Sequence, residues 1–215
     1  RTFLSSAFAS TPQKITATRV LPYPRHVVYE VISDVSNYSA FVPYCCKSLV
    51  TKTSKTAVDG KSYPEEAKLA IGFSTDVNDE FWSRVYCVPG ECVEAVAGKT
   101  DTSLPKNSIE HHHARPTEQD PTRHQGILSH LLTRWTLRSF NDEPPSASPI
   151  SNSLALKKTE VNLVVEFEFA NPVYGALGQA AAPQVAEKLI KAFETRVKFI
   201  VEGPGSVMQG HGSRK

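Results

Sequence analysis

Between Thr159 and Glu202 the spacing of apolar residues changes from two to three or four, and this change constrains the fold more than any other feature of the chain. In the first stretch Val161, Leu163, Val165, Phe167 and Phe169 share one face, while Glu160, Asn162, Glu166 and Glu168 share the other. That alternation belongs to a strand in a sheet with a single apolar face. From Pro172 to Glu202, Leu177, Ala181, Val185, Leu189, Phe193, Val197 and Ile200 recur at helical spacing, and Gly203-Pro204-Gly205 follows as a stop signal. A helix of that length spans ~45 Å at 1.5 Å per residue, enough to cross a whole sheet. Pro183 lies inside it. Because an interior proline costs roughly 3 kcal/mol, the sequence predicts a short helix from Pro172 to about Ala181 and then a kink or restart.

The rest of the chain supplies the sheet. Lys14 to Leu21 alternates with Ile15, Ala17, Arg19 and Leu21 on one side, and Pro22 and Pro24 end it. Val27, Val28, Val31 and Ile32 then read as a short helix running to Asp34, and Tyr38, Phe41 and Val42 as a second short turn before Pro43. Lys47 to Thr53, Glu65 to Phe73, Asp79 to Val88, Glu91 to Ala97 and Leu131 to Ser139 read as strands, separated by turn signals such as Asp59-Gly60 and Pro89-Gly90. Residues 98–127 and 140–156 lose periodicity and collect polar residues and proline, which predicts two solvated insertions without regular structure. The expected fold is therefore α+β, a curved antiparallel sheet wrapped around a long C-terminal helix, over residues 13–203. Residues 1–12 and 204–215 are expected to be tails.

Composition narrows the function classes. A net charge of +2 with scattered Lys and Arg argues against a nucleic-acid surface. The richest apolar segment, Tyr174 to Ala186, is too short to span a bilayer and carries Gln179, Pro183 and Gln184. Cys45, Cys46, Cys87 and Cys92 lack disulfide-scaffold or zinc spacing and read as reduced structural thiols, while His111-His112-His113 lacks the one-face spacing of a metal site. No metal ligand and no catalytic residue is assigned. No acidic residue occurs before Glu30, whereas Arg1, Lys14, Arg19 and Arg25 are basic and Ser5, Ser6 and Ser10 carry hydroxyls, the bias of a mitochondrial presequence.

Several segments, in order, carry a resemblance: Arg19-Val20-Leu21-Pro22-Tyr23, Asp34-Val35-Ser36-Asn37-Tyr38, Phe41-Val42-Pro43-Tyr44-Cys45, Gly72-Phe73, Trp82-Ser83-Arg84-Val85, Thr133-Arg134-Trp135 and Ala192-Phe193-Glu194-Thr195-Arg196. From Lys14 to Glu202 the chain resembles the mitochondrial coenzyme Q-binding protein family, within the helix-grip superfamily of START-related proteins and polyketide cyclases. The resemblance implies a non-catalytic carrier of a polyprenyl quinone on the matrix side of the inner membrane. Coenzyme Q would be its ligand rather than a catalytic cofactor, the membrane surface a transient partner, and coenzyme Q biosynthetic or respiratory complexes further partners.

A quinone tunnel would lie between sheet and helix. Small residues at Gly175, Ala176, Gly178 and Ala180 to Ala182 leave room opposite Phe167 and Phe169, although the same residues could interdigitate as a solid core. Tyr38, Tyr44, Trp135 and Tyr174 are candidates for contact with the ring. Phe41, Val42 and Pro43, with Val173, Tyr174 and Leu177, form the expected gate and membrane-touching edge. Leu69, Ile71, Phe73, Val165, Phe167, Phe169, Ala181, Val185 and Leu189 complete the expected lining. Two rivals share the fold. A polyketide cyclase or aromatase would need a buried charge such as Arg19 paired with Glu80 or Glu94, and a ribosome-interacting module would need clustered basic residues.

Overall fold

The computed structural model describes residues 12–74, 77–114, 128–140, 157–170 and 172–203, with the side chains of 73–79 and 172–183 outside that description. Seven antiparallel strands form one curved sheet: β1 (Gln13–Leu21), β2 (Cys45–Thr53), β3 (Pro64–Ser74), β4 (Val77–Val88), β5 (Cys92–Gly98), β6 (Leu128–Phe140) and β7 (Lys158–Phe169). Their spatial order is β1-β7-β6-β5-β4-β3-β2, so six strands meander while the first pairs with the last, Ala17 opposite Leu163. β1 and β2 are therefore opposite edges. The chain crosses between them through α1 (Arg25–Ser33) and a 3₁₀ turn at Val35–Ala40. Pro24 fits the entry to α1, because its missing N–H would have had no partner there. Asp34 closes the exit by accepting hydrogen bonds from Ser36 Oγ and Asn37 Nδ2.

The concave face holds the main core, and α2 (Pro172–Glu202) lies against it. Ala186, Ile190, Phe193 and Val197 are its fully buried stripe, packed with Val28 and Ile32 of α1 and with Trp135, Leu137, Val161 and Leu163 of the sheet. Ile200, expected on that stripe, is instead 52% exposed. The expected end near Ala181 and restart do not occur: α2 is helical without interruption over 31 residues. Burying Ile190, Phe193 and Val197 is worth about 1.5–3 kcal/mol for each side chain and fixes the part of α2 beyond Pro183 on the sheet. No described helix is long and apolar enough to cross a membrane.

The convex face has its own cover, contrary to the expectation that residues 98–127 lack structure. The part described, through residue 114, folds back over β4, β5 and β6, placing Ile109 and Leu104 against Tyr86, Val88, Val96 and Leu132. Two buried charge clusters fasten it. Glu94 accepts from Arg134 Nε at 2.6 Å and from Thr102 Oγ1 at 2.5 Å. Arg84, with no exposed surface, pairs with Glu65 and Glu66 at 3.0 Å each and donates to the His113 carbonyl. A polar, proline-containing stretch thus gains order from charges on the strands, a long-range cause that local composition does not reveal. The insertion expected at 140–156, apart from Phe140, and both expected tails, apart from Pro12, lie outside the described residues.

Candidate ligand-binding cavity

Strand alternation builds the site. Along β4, Phe81, Ser83 and Val85 face α2 while Arg84 and Tyr86 join the convex cover, and along β6 Thr133 and Trp135 face inward while Arg134 reaches Glu94. Between these inward residues and α2 lies a cavity of about 230 Å³. Leu69 and Ile71 of β3, Val93 and Ala95 of β5, Leu128 and Leu131 of β6 and Val165 of β7 line its sheet side. Val185, Leu189 and Phe193 line the helix side, and Val35, Tyr38 and Val42 close one end. Among the described lining residues there is no carboxylate, imidazole, amine or guanidinium. The Tyr38 hydroxyl donates to the Ile32 carbonyl, and burial first of all pushes its pKa upward, so it stays protonated.

A second space lies outside this cavity, a surface groove of about 1010 Å³ between the 3₁₀ turn and α2. Arg19, Lys188, Lys191 and Arg196 surround it together with Glu187, with Phe41, Pro43 and Phe199 as apolar patches. Aromatic rings separate the two spaces: Phe193 touches Tyr38, Phe41 and Trp135 with ring centroids 5.3, 5.0 and 4.5 Å away. Phe41 faces the groove and Phe193 the cavity, and the Arg196 guanidinium lies over Phe41 at 5.6 Å.

Of the residues expected from sequence, the cavity brings together Tyr38, Val42, Leu69, Ile71, Trp135, Val165, Val185 and Leu189. Phe41 and Pro43 line the groove instead. Tyr44 takes a backbone φ of 66° and accepts a hydrogen bond from Lys188 Nζ at 2.9 Å, which holds its ring at the rim. Phe167 and Phe169 pack edge to face on each other, 5.7 Å apart, outside the lining. The side chains of Phe73, Val173, Tyr174, Leu177 and Ala181 lie outside the described residues. The described lining also includes Val35, Phe81, Ser83, Val85, Val93, Ala95, Leu128, Leu131, Thr133 and Phe193, which the sequence did not single out. Alternation of β4 and β6 about the Trp82-Ser83-Arg84-Val85 and Thr133-Arg134-Trp135 segments was the signal that could have found several of them.

Other chemical candidates occupy different places. Arg19 pairs with Glu187 at 3.0 Å and Glu194 at 3.8 Å, not with Glu80 or Glu94, and is 37% exposed at the groove rim. Glu80 pairs with Lys68 instead. The three adjacent histidines serve structural contacts: His112 Nε2 accepts the Cys87 backbone N–H at 2.9 Å and its Nδ1 lies 3.7 Å from Glu65, His113 Nδ1 lies 2.9 Å from the same carboxylate, and His111 packs against the His112 ring at 4.4 Å and near Tyr63. Burial, then His111, lowers the His112 pKa to about 4. The four cysteines are free, and burial raises the Cys87 thiol to about 12.

Similarity to known proteins follows this architecture. Residues 21–194 match the family described as polyketide cyclase / dehydrase and lipid transport. The mitochondrial coenzyme Q-binding protein COQ10 of Eremothecium gossypii is 29% identical, covering 98% of this chain and 87% of that protein. The corresponding protein of Schizosaccharomyces pombe is 27% identical over 85% of each chain. The ribosome association toxin RatA of Pseudomonas aeruginosa is 28% identical over 86% of this chain and 94% of its own. Among solved structures, a START superfamily protein from Mycobacterium smegmatis aligns over 87% of this chain and 99% of its own, with a TM-score of 0.57 at 15% identity. The Zhui aromatase/cyclase from Streptomyces sp. R1128 aligns over 88% and 96%, with a TM-score of 0.56 at 14% identity. At such identities these two speak for the fold alone. With the family match spanning most of the sheet and α2 through Glu194, the chain belongs to the polyketide cyclase / dehydrase and lipid transport family, alongside mitochondrial coenzyme Q-binding relatives.

Proposed function

We propose that this chain is a carrier of coenzyme Q that supports its biosynthesis and delivery to the respiratory chain, working at the matrix face of the mitochondrial inner membrane. The observation that carries this reading is an apolar cavity, between sheet and α2, whose described lining holds no ionisable acid or base beyond a hydrogen-bonded tyrosine. Such a lining suits retention of a ring and prenyl chain rather than proton transfer. Relatives named as mitochondrial coenzyme Q-binding proteins supply the ligand class and the compartment. At 230 Å³ the cavity is smaller than the roughly 300–1,000 Å³ that encloses a whole drug-sized ligand, so it takes a ring and the start of the tail.

Leaving water would be worth about 0.8 kcal/mol per methylene, but a bilayer is as apolar as the cavity, and that gain vanishes for a lipid taken from a membrane. Selection then rests on the ring, and exchange rests on a gate. Phe41 and Phe193, packed edge to face between groove and cavity, serve as that gate, with Phe41-Val42-Pro43 as its membrane-touching edge. The adjoining Phe199, Ile200 and Val201 are 40–52% exposed, and Lys188 and Arg196 have no acidic partner among the described residues, a mixture suited to an anionic bilayer surface.

Trp135 reports on the cavity directly. In a Trp82→Phe background it is the remaining tryptophan, and a short-chain benzoquinone is expected to quench it saturably at one ligand per chain. Linear, unsaturable quenching would count against the carrier reading. The relative named as a ribosome association toxin favours one alternative, for which cosedimentation with ribosomes that disappears at moderate salt is the deciding observation.

A further inference from the structure

Among the described lining residues, one fully buried side-chain oxygen is left without a partner. Ser83 is 1% exposed, lines the cavity from the middle of β4, and its hydroxyl makes no hydrogen bond. It is the single described lining residue whose buried side-chain oxygen is unpaired. Native interiors seldom leave such a group without a partner, and where one faces a space it marks the position of an absent acceptor. The surroundings fit a flat ring. Ala67 lies directly across from Ser83 on β3, Ala95 across from Val85 on β5, and Thr133 across from Ala95 on β6, so small side chains floor this part of the concave face. Bulkier Leu69, Phe81 and Trp135 also line the cavity.

We infer that Ser83 is the head-group donor of this cavity, its hydroxyl hydrogen-bonding to a carbonyl oxygen of a quinone-type ring seated on the small-residue floor. The inference rests on the carrier reading and adds to it an orientation: ring inward against β4, prenyl tail leading away. It also supplies a selection rule. A hydrocarbon or a carbonyl-free isoprenoid fills the same space but leaves Ser83 unpaired, whereas a quinone satisfies it. Since apolar tails lose little on moving between two apolar phases, this contact separates a quinone from carbonyl-free prenyl lipids of the same tail.

The test compares two probes with the same ten-carbon tail, one ending in a dimethoxy-methyl-benzoquinone and the other in plain benzene, each titrated against wild type, Ser83→Ala and Ser83→Cys. Loss of the hydroxyl should weaken quinone binding about tenfold, equivalent to about 1.4 kcal/mol, with the weak thiol donor in between and benzene-tail binding unchanged. Melting of the ligand-free Ser83→Ala protein should rise slightly, because the variant removes an unpaired buried group; this also reports that it folds. Equal quinone affinity in wild type and Ser83→Ala, or equal loss for both probes, overturns the assignment while leaving the carrier reading standing. A wild type that binds neither probe overturns both.

Discussion

Within Trp82-Ser83-Arg84-Val85, adjacent residues belong to different structures: Ser83 and Val85 face the cavity, and Arg84 is buried among Glu65, Glu66 and the His113 carbonyl. Removing one member of such a buried pair leaves an uncompensated charge. Arg84→Ala is expected to destabilise the protein by about 3–5 kcal/mol in urea titrations, whereas exposed Lys61→Ala, opposite Glu30, should change stability by less than about 1 kcal/mol. Gly98 is a second decisive position. Its φ is +68°, and a Cβ there would collide with the Ser129 carbonyl oxygen, so both backbone conformation and space demand glycine. Gly98→Ala should destabilise by at least about 2 kcal/mol, while Gly60→Ala, equally left-handed but with nothing within 4 Å, should lose about 1 kcal/mol. At the partition, Phe41→Leu should speed quinone transfer to acceptor vesicles several-fold at a modest cost in melting temperature, since Phe41 is partly buried against the core and lines the groove while Phe193 holds the core side. An unchanged transfer rate would remove Phe41 from the gate.

At the scale of elements, the strands and α2 were legible because their periodicities are long and uninterrupted, and β7 is the clearest case. The buried stripe of α2 was harder to read, since Val185 and Leu189 line a cavity while Ala186 and Ile190 carry the packing one position later. The segment after β5 was not legible at all. Its order comes from Glu65, Arg84, Glu94 and Arg134, contributed by strands far away in sequence. That seat has a pH consequence. His112 is kept neutral down to about 4, whereas an unfolded imidazole takes a proton near 6.5. Between those values the unfolded chain binds more protons, so stability should fall as pH falls from about 6.5 towards 4, by on the order of 2 kcal/mol. Burial raises the Glu65 pKa, but hydrogen bonds from His113 and the charge of Arg84 outweigh it and leave the carboxyl below its ordinary value. Its stabilisation is present above the unfolded carboxyl value and is lost at still lower pH. In urea titrations across pH, His112→Gln should flatten the upper window and leave the lower one; an unchanged upper slope would place the proton uptake elsewhere.

For the molecule as a whole, one sheet carries two unlike faces: a convex face closed by buried charges and a short cover, and a concave face closed by an apolar helix that leaves a space. The resemblance visible in the sequence pointed to a quinone, and the structure holds a chamber of about 230 Å³ between sheet and helix, adjoined by a groove with charged and apolar lining; on the proposed reading the ring sits in the first and the tail leaves by the second. The central claim is that the chamber exists to hold that ring. The most direct measurement is to purify the protein from mitochondria-bearing cells without detergent exchange, extract it with organic solvent and identify the lipid by mass spectrometry. The account predicts coenzyme Q enriched over its proportion in the surrounding membrane, with the enrichment reduced in Ser83→Ala. A protein that emerges empty and stays empty when coenzyme Q is added would contradict it.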